Sequence, residues 1–304
     1  MRQESFQSLG NGSFHRVAYT CWGDVANPHT VLCVHGLARN SRDFDFLAAA
    51  LADECRVVCM DVAGRGESEW LDNKSHYTFS TYQNDAAAML ARASAPPASG
   101  FLKKIFGNKE AKLDWVGTSM GGLIGMFLAA KRGSPVRRLV LNDVGALIPW
   151  SALFRMKGYI TRGRRFKGVD EVEAYLRDVC APFGPLTDAQ WRHLALHSAR
   201  LDGAEYVLRY DPGIGEGLHG HIDAEFPIGP DLLRGIDLWN VWSKIECPML
   251  VLRGANSEVL LEKTVAEMKE RKPDLEIVEF PGVGHAPALM SADQISVVKE
   301  FLLR

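Results

Sequence analysis

The sequence predicts an α/β fold in which a mostly parallel, twisted sheet is covered by helices on both faces and carries an inserted helical cap. Three observations lead to this fold class. Short apolar runs alternate with helical patterns along most of the chain, one apolar run leads directly into a glycine-rich turn, and residues 148–238 break the alternation. Apolar strands that alternate with helices usually form a parallel sheet that is buried on both faces.

The first residues are predicted to add an antiparallel edge to this sheet. Phe6 to Leu9 and Phe14 to Trp22 flank a Gly10-Asn11-Gly12 turn, which is a hairpin signal. Further strands are expected at about 30–35, 56–61, 112–117, 137–143, 248–254 and 275–280. The helical patterns between them lie at about 42–53, 78–94, 120–132, 260–272 and 291–303.

Two segments interrupt this alternation. Residues 95–111 are rich in proline, glycine and lysine, so we expect an exposed loop whose role stays open. Residues 148–238 contain helical patterns near 150–160, 170–180, 187–199 and 203–210. We therefore expect a core made of residues 1–147 and 239–304, with residues 148–238 as a separate helical insertion.

The most informative motif is Gly117-Thr118-Ser119-Met120-Gly121. It follows an apolar run and precedes a helical pattern, and G-x-S-x-G between a strand and a helix is typical of a nucleophile elbow. An isolated match would be explained more simply by a glycine-rich turn. Here two further motifs accompany it, so Ser119 is the candidate nucleophile.

Those two motifs lie at the ends of other expected strands. His35-Gly36-Leu37 follows the strand near 30–35, where a backbone N–H of Leu37 would join that of Met120 in an oxyanion hole. His285 lies in the loop after the last strand, as a general base would. The ring of His35 is expected to support its loop.

Together these motifs resemble the α/β-hydrolase superfamily from about Phe14 to Leu303. Asp61 to Ser68 is similar to its D-x-x-G-x-G-x-S loop, for which we expect turn chemistry alone, and Pro248 to Gly254 is similar to its seventh strand. The resemblance implies a cap that closes over Ser119 and a serine-histidine-carboxylate triad. Such a triad requires no metal and no organic cofactor.

The acid of the triad has two candidates. The family usually places it three residues after the glycine that ends the seventh strand, and Ser257 occupies that position. Glu258 is adjacent, although a solvated residue at a helix start explains it equally well. Some members of the family carry the acid at the end of the sixth strand, where Asp143 lies. We favour Asp143, with Glu258 as the alternative acid.

The resemblance implies a serine hydrolase that cleaves an ester-type bond (ester, lactone or thioester) of a small molecule through an acyl-enzyme. A carbon–carbon bond hydrolase of a ring-cleavage product and a non-catalytic ligand-binding receptor are the alternatives. Epoxide hydrolases and haloalkane dehalogenases are disfavoured because they need an aspartate where Ser119 lies.

The composition is that of an ordinary globular protein: 47% of the 304 residues are hydrophobic and 24% are charged. A formal net charge of −2 gives no reason to expect nucleic acid as a partner. No apolar run would span a membrane and residues 1–13 lack a secretory core, so we expect a cytoplasmic protein without stable membrane insertion. The expected partner is a small-molecule substrate, and a homodimer is left open.

Neither the cysteines nor the remaining histidines indicate a metal site. The six cysteines form no C-x-x-C pair and are expected to be structural thiols. His219 and His221 have no third ligand at a convincing spacing, so polar pocket lining or surface is the better interpretation. The early cap is basic, which suits a carboxylate-bearing substrate but also a solvated helix face; its arginines are Arg155, Arg162, Arg164 and Arg165.

Overall fold

A single large sheet forms the centre of the protein, as the alternation of strands and helices predicts. The computed structural model describes residues 1–94, 111–153, 163–215 and 235–304. The strands of this part of the chain are β1 (Arg2–Leu9), β2 (Phe14–Trp22), β3 (His29–Val34), β4 (Arg56–Met60), β5 (Lys112–Thr118), β6 (Arg138–Asn142), β7 (Leu147–Pro149), β8 (Arg165–Phe166), β9 (Ala199–Asp202), β10 (Glu205–Leu208), β11 (Gly235–Asp237), β12 (Met249–Gly254) and β13 (Glu276–Phe280).

Eight of these strands form the central sheet in the order β1-β2-β4-β3-β5-β6-β12-β13. The hairpin β1-β2 is antiparallel and forms one edge, and the strands from β4 to β13 pair in parallel. The six strands expected after the hairpin are confirmed, with ends that differ from the prediction by one residue at most.

Among the described residues, five helices lie at the positions predicted between the strands of the sheet, two lie in the segment between β6 and β12, and the short helix at Trp239–Trp242 was not predicted. They are α1 (Asp45–Leu51), α2 (Phe79–Ser94), α3 (Met120–Ala129), α4 (Val169–Val179), α5 (Asp188–Ser198), α6 (Trp239–Trp242), α7 (Glu262–Arg271) and α8 (Ala292–Leu303), with short 3-10 turns at Ser41–Phe44, Lys74–His76 and Ala181–Phe183. No helix within the described ranges is long and apolar enough to cross a membrane.

Strand register brings the ends of the central strands together at one edge of the sheet. Val34 pairs with Gly117, and Thr118 pairs with Asn142. The residues that follow these strands therefore meet at their carboxyl ends, which is where α/β sheets place their ligands. The close packing behind them requires glycine, because a Cβ on Gly121 would lie 2.0 Å from the carbonyl oxygen of Val34.

Described residues of the segment between β6 and β12, which we call the cap, line a cavity together with Ser119 at this edge. It contains α4 and α5, as expected, and a three-stranded antiparallel sheet in the order β8-β10-β9. It is joined to the core where β7 pairs with β11. A second backbone contact joins the cap to the core after the end of β10, where Tyr210 forms an antiparallel bridge with Arg65. Hydrogen bonds from Gly66 N to Arg209 O (2.8 Å) and from Asp211 N to Gly64 O (2.8 Å) flank this bridge.

The prediction of a helix at 203–210 is wrong. Residues 205–208 form β10, which pairs with β9 through a two-residue loop. Gly203 begins that loop with a φ of +66°, and glycine accepts this conformation without steric penalty. Glycine at the first position of the Gly203-Ala204 loop is a hairpin signal that outweighs the helical spacing of the apolar residues beside it.

Several expectations lie outside the described residues. These are the loop at 95–110, most of the helix at 150–160, the two early cap arginines Arg155 and Arg162, and the histidines His219 and His221. All six cysteines are described and are free thiols, and all except Cys247 are buried, in agreement with a structural role.

Candidate active site

Ser119 lies in a sharp turn between β5 and α3. Its φ of 51° and ψ of −116° fall outside the regions that a non-glycine residue normally adopts, so the backbone is held there by its surroundings. Ser119 N donates to Asn142 O (2.9 Å), and Ser119 O accepts from Gly122 N (2.9 Å) and Leu123 N (3.0 Å). The turn thereby presents the hydroxyl above the sheet edge, as expected of a nucleophile elbow.

A continuous chain of hydrogen bonds joins three of the residues that the sequence singles out. His285 Nε2 lies 2.9 Å from Ser119 Oγ, and His285 Nδ1 lies 2.7 Å from Asp143 Oδ2. A carboxylate can only accept, so we assign the proton of the neutral imidazole to Nδ1. Nε2 is then free to accept the proton of the serine hydroxyl.

Asp143 is completely buried and directly follows β6. Its φ of 58° is a left-handed conformation that aspartate tolerates better than most residues. Besides His285, its carboxylate accepts hydrogen bonds from Gly254 N (2.9 Å) and Ser257 Oγ (2.5 Å). These contacts hold the carboxylate on the imidazole, whereas Glu258 is exposed to solvent.

The two backbone donors expected for an oxyanion hole belong to residues near Ser119, since Leu37 lines the same cavity as Ser119 and Met120 follows it in the chain. Leu37 follows the end of β3, and Met120 begins α3. Across the described parts of the chain, neither N–H donates a hydrogen bond to another protein group. Unpaired donors beside a nucleophile are what a developing oxyanion requires.

Arg65 contacts both of these residues, a role that the sequence analysis missed. It is fully buried, donates from Nε to Leu37 O (2.9 Å) and from Nη1 to Ala63 O (2.7 Å), and lies 3.9 Å from Met120 Sδ. Its guanidinium also stacks over the ring of Tyr82, 4.6 Å from the centroid. The loop of residues 61–68 therefore does more than turn the chain, and its arginine between two glycines was the available signal.

We call residues 35–39, which include Leu37, the oxyanion loop. His35 supports this loop, as expected, and forms no hydrogen bond with Ser119 or His285 in the described part of the chain. Its Nδ1 donates to Gly36 O (2.7 Å) and its Nε2 accepts from Val62 N (3.0 Å). Burial lowers the pKa of His35 to about 4, so the ring stays neutral and keeps both hydrogen bonds at neutral pH.

A cavity of about 180 Å³ lies over Ser119, between the core and the cap. Apolar side chains of the cap form most of its wall; those from α4 and the segment after it are Tyr175, Leu176, Val179, Cys180 and Phe183. Ser198, Leu208 and Tyr210 add the cap's other wall, and Leu37, Ala38 and Arg39 come from the oxyanion loop. The arrangement fits a small apolar acyl or alkyl group beside the nucleophile.

A group of potential metal ligands lies at the seam between α1 and the cap. Ligand atoms of Asp45, His193 and His197 lie within 4.8 Å of one another. The guanidinium of Arg42 already contacts two of these ligands, since it binds the carboxylate of Asp45 (2.5 Å) and lies 3.2 Å from His197 Nδ1. Burial, with a smaller effect of the positive charge of Arg42, lowers the pKa of His197 to about 4. The sequence did not reveal this group of ligands because Asp45 is distant along the chain from His193 and His197.

Comparison with known proteins identifies the family of this chain. A family model described as the alpha/beta hydrolase family matches residues 31–296. The chain is 42% identical over 299 residues to a 3-hydroxybutyrate-oligomer hydrolase of Cupriavidus necator, and the match covers 97% of this chain and 95% of that protein. It is 24% identical over 256 residues to a 2-(acetamidomethylene)succinate hydrolase of Mesorhizobium japonicum, with 84% of this chain and 81% of that protein covered.

The fold is also that of solved structures. An alpha/beta hydrolase from Novosphingobium aromaticivorans superposes with a TM-score of 0.82 at 30% identity, over 99% of this chain and 98% of that one.

Proposed function

The chain belongs to the alpha/beta hydrolase family, and we propose that it is a serine esterase with Ser119 as nucleophile, His285 as base and Asp143 as the acid of the triad. The observation that carries this proposal is the chain of hydrogen bonds from Ser119 Oγ through both nitrogens of His285 to Asp143. A nucleophile, a base and a group that orients the base are the three parts that acyl transfer by serine requires.

In the first half of the reaction, Ser119 Oγ attacks the ester carbonyl carbon while its proton passes to His285 Nε2. The negative charge on the carbonyl oxygen is stabilised by the N–H groups of Leu37 and Met120, each worth about 3 kcal/mol. His285 then gives the proton to the leaving alkoxy oxygen. The alcohol departs and leaves an acyl-enzyme.

In the second half, His285 takes a proton from water, and the hydroxide equivalent attacks the acyl carbon. The oxyanion forms in the same place and collapses. The bond between the acyl carbon and Ser119 Oγ breaks, His285 returns its proton to Oγ, and the carboxylic acid is released. In both halves His285 Nε2 acts first as the proton acceptor and then as the proton donor.

The proposed substrates are short oligoesters of 3-hydroxy acids. The 42% identical relative is named for hydrolysis of 3-hydroxybutyrate oligomers, and the apolar cavity over Ser119 suits the small alkyl groups of such units. Each linkage in these oligomers joins a carboxyl group to a secondary hydroxyl, which is an ordinary ester for this mechanism. Lactones and thioesters would react in the same way.

The test combines labelling with turnover. A fluorophosphonate probe should label Ser119, and Ser119→Ala should lose both labelling and the hydrolysis of a 3-hydroxybutyrate dimer. Ser296→Ala, on the exposed face of α8, is the matched control and should keep both. Probe attachment at a different serine, or dimer hydrolysis that survives in Ser119→Ala, would reject the proposal. A dienoic diketone in the same assay tests the alternative of carbon–carbon bond hydrolysis.

A further inference from the structure

A second cavity, of about 210 Å³, lies in the cap beside the cavity over Ser119. Leu208 and Tyr210 line both cavities, so the two share a wall. We refer to the second one as the basic cavity, because three arginines and a single acidic residue line it; the charged residues are Arg164, Arg165, Arg200 and Asp202.

The three arginines differ in their partners. Arg165 binds Asp202 (2.7 Å) and Glu205 (3.5 Å), so its charge is neutralised. Arg164 and Arg200 form no ion pair with any acid in the described part of the chain. The basic cavity therefore keeps two positive charges that no neighbouring carboxylate balances.

Both uncompensated arginines are oriented by aromatic rings. The guanidinium of Arg200 lies over Trp70, 4.8 Å from the ring centroid, and that of Arg164 lies over Tyr175 at 4.9 Å. Stacking uses the flat face of a guanidinium and leaves the N–H groups at its edge available. A carboxylate matches that edge, since its two oxygens can accept two parallel hydrogen bonds.

We propose that the basic cavity binds the free carboxylate of the substrate through Arg164 and Arg200, while the neighbouring ester lies at Ser119. This inference rests on the proposed function. Tyr175 is adjacent to both sites, because its ring contacts the guanidinium of Arg164 and also lines the cavity over the nucleophile.

The direction of cleavage follows from the chemistry of the substrate. In an oligomer of a 3-hydroxy acid, the unit that carries the free carboxylate is joined to the rest of the chain through its hydroxyl group. That unit is therefore the alcohol of the bond next to it, and it leaves when Ser119 forms the acyl-enzyme. The basic cavity is then the leaving-group subsite, and the enzyme releases monomers from the carboxyl end.

The experiment compares a linear 3-hydroxybutyrate trimer with its primary amide, which has the same two ester bonds but no free carboxylate. Wild-type enzyme should favour the free acid in kcat/KM. Loss of one charge-assisted hydrogen bond should lower the ratio of the two kcat/KM values about tenfold in Arg200→Gln and in Arg164→Gln. Arg200→Lys, which keeps the charge but loses the planar edge, should fall between them and the wild type.

The control is Arg192→Gln on the outer surface of α5, where Arg192 binds Asp170 and lines neither of these two cavities. It should keep the wild-type ratio. Ratios that stay constant across all variants, each shown to be folded, overturn the subsite and leave the esterase intact. A wild-type enzyme that cleaves neither trimer overturns the proposed function, and the subsite falls with it.

Discussion

Ser257 donates its hydroxyl to Asp143 Oδ2 at 2.5 Å, the same carboxylate oxygen that accepts the proton of His285 Nδ1. Ser257 occupies the position at which the resemblance to the family implies the acid. The carboxylate comes instead from Asp143, at the end of the neighbouring strand β6. Ser257 stabilises that carboxylate from the position in the chain where the family usually has the acid. Ser257 Oγ is itself held by Val259 N (3.2 Å) and Leu260 N (3.1 Å), so its hydroxyl proton points at Asp143.

The first prediction separates the two candidate acids. Asp143→Asn should lower ester turnover by a factor on the order of 10³–10⁴, because an amide can favour the wrong tautomer of His285. Glu258→Gln should lower it far less, since Glu258 is exposed. The measurement is kcat of both variants on one ester, with circular dichroism as the control for folding. A large loss in Glu258→Gln beside a small one in Asp143→Asn would reverse the assignment.

A second prediction concerns Ser257. In Ser257→Ala, the buried carboxylate of Asp143 loses one of its three hydrogen bonds, so we expect kcat to fall about tenfold at unchanged KM. Ser257→Thr retains the hydroxyl and should recover most of the activity. A structural role alone would instead lower the midpoint of thermal unfolding equally in both variants and leave kcat of the folded enzyme intact, so both quantities are measured.

Arg65 provides a third prediction. Arg65→Lys keeps a positive charge but cannot reach Leu37 O and Ala63 O at once, so the oxyanion loop should lose its alignment. We expect kcat to fall by about tenfold to a hundredfold, corresponding to part of the contribution of one oxyanion donor, with little change in KM. Arg137→Lys, at the opposite end of β5, is the matched control. An equal effect in both variants would contradict a specific role for Arg65.

The fourth prediction concerns pH and stability. Burial raises the pKa of the Asp61 carboxyl from 3.8 to about 7, although Ser41 N and Glu67 N donate to it. The folded state therefore binds this proton more tightly than the unfolded state. The stability that this provides is fully present below about pH 4 and is lost as the pH rises towards 7.

The measurement compares thermal unfolding of the wild type and of Asp61→Asn at pH 5 and pH 8. The advantage of the wild type over the variant should be smaller at pH 8, by a few degrees. Asp53→Asn, at an exposed position, controls for the general effect of pH. A wild-type advantage that grows with pH would contradict the prediction.

The sequence predicted the central sheet, and it could propose the serine, histidine and aspartate, because each depends on local pattern. Parallel strands buried on both faces are continuous apolar runs; Ser119 and Asp143 directly follow such strands, and His285 lies in the loop after β13. Asp143 could be chosen over Glu258 because the end of a strand is a defined place, whereas the contact with Ser257 could not be foreseen. It depends on the loops after β6 and β12 meeting in space.

The parts that sequence reasoning missed depend on contacts between distant segments. Arg65 is buried because Tyr82 and the oxyanion loop close around it, and nothing in the loop itself indicates those neighbours. In the cap, apolar residues at 203–210 have a spacing that suits either a helix or a strand. Residues 205–208 form a strand because they pair with β8 and β9.

Arg65 is attached at two points that serve different parts of the molecule. Its backbone bridges Tyr210 of the cap, and its side chain holds the carbonyl of Leu37. Any motion that lifts Tyr210 away to admit a substrate therefore pulls on the residue that aligns the oxyanion loop. The position of Tyr210 and the alignment of Leu37 are thus coupled through one residue.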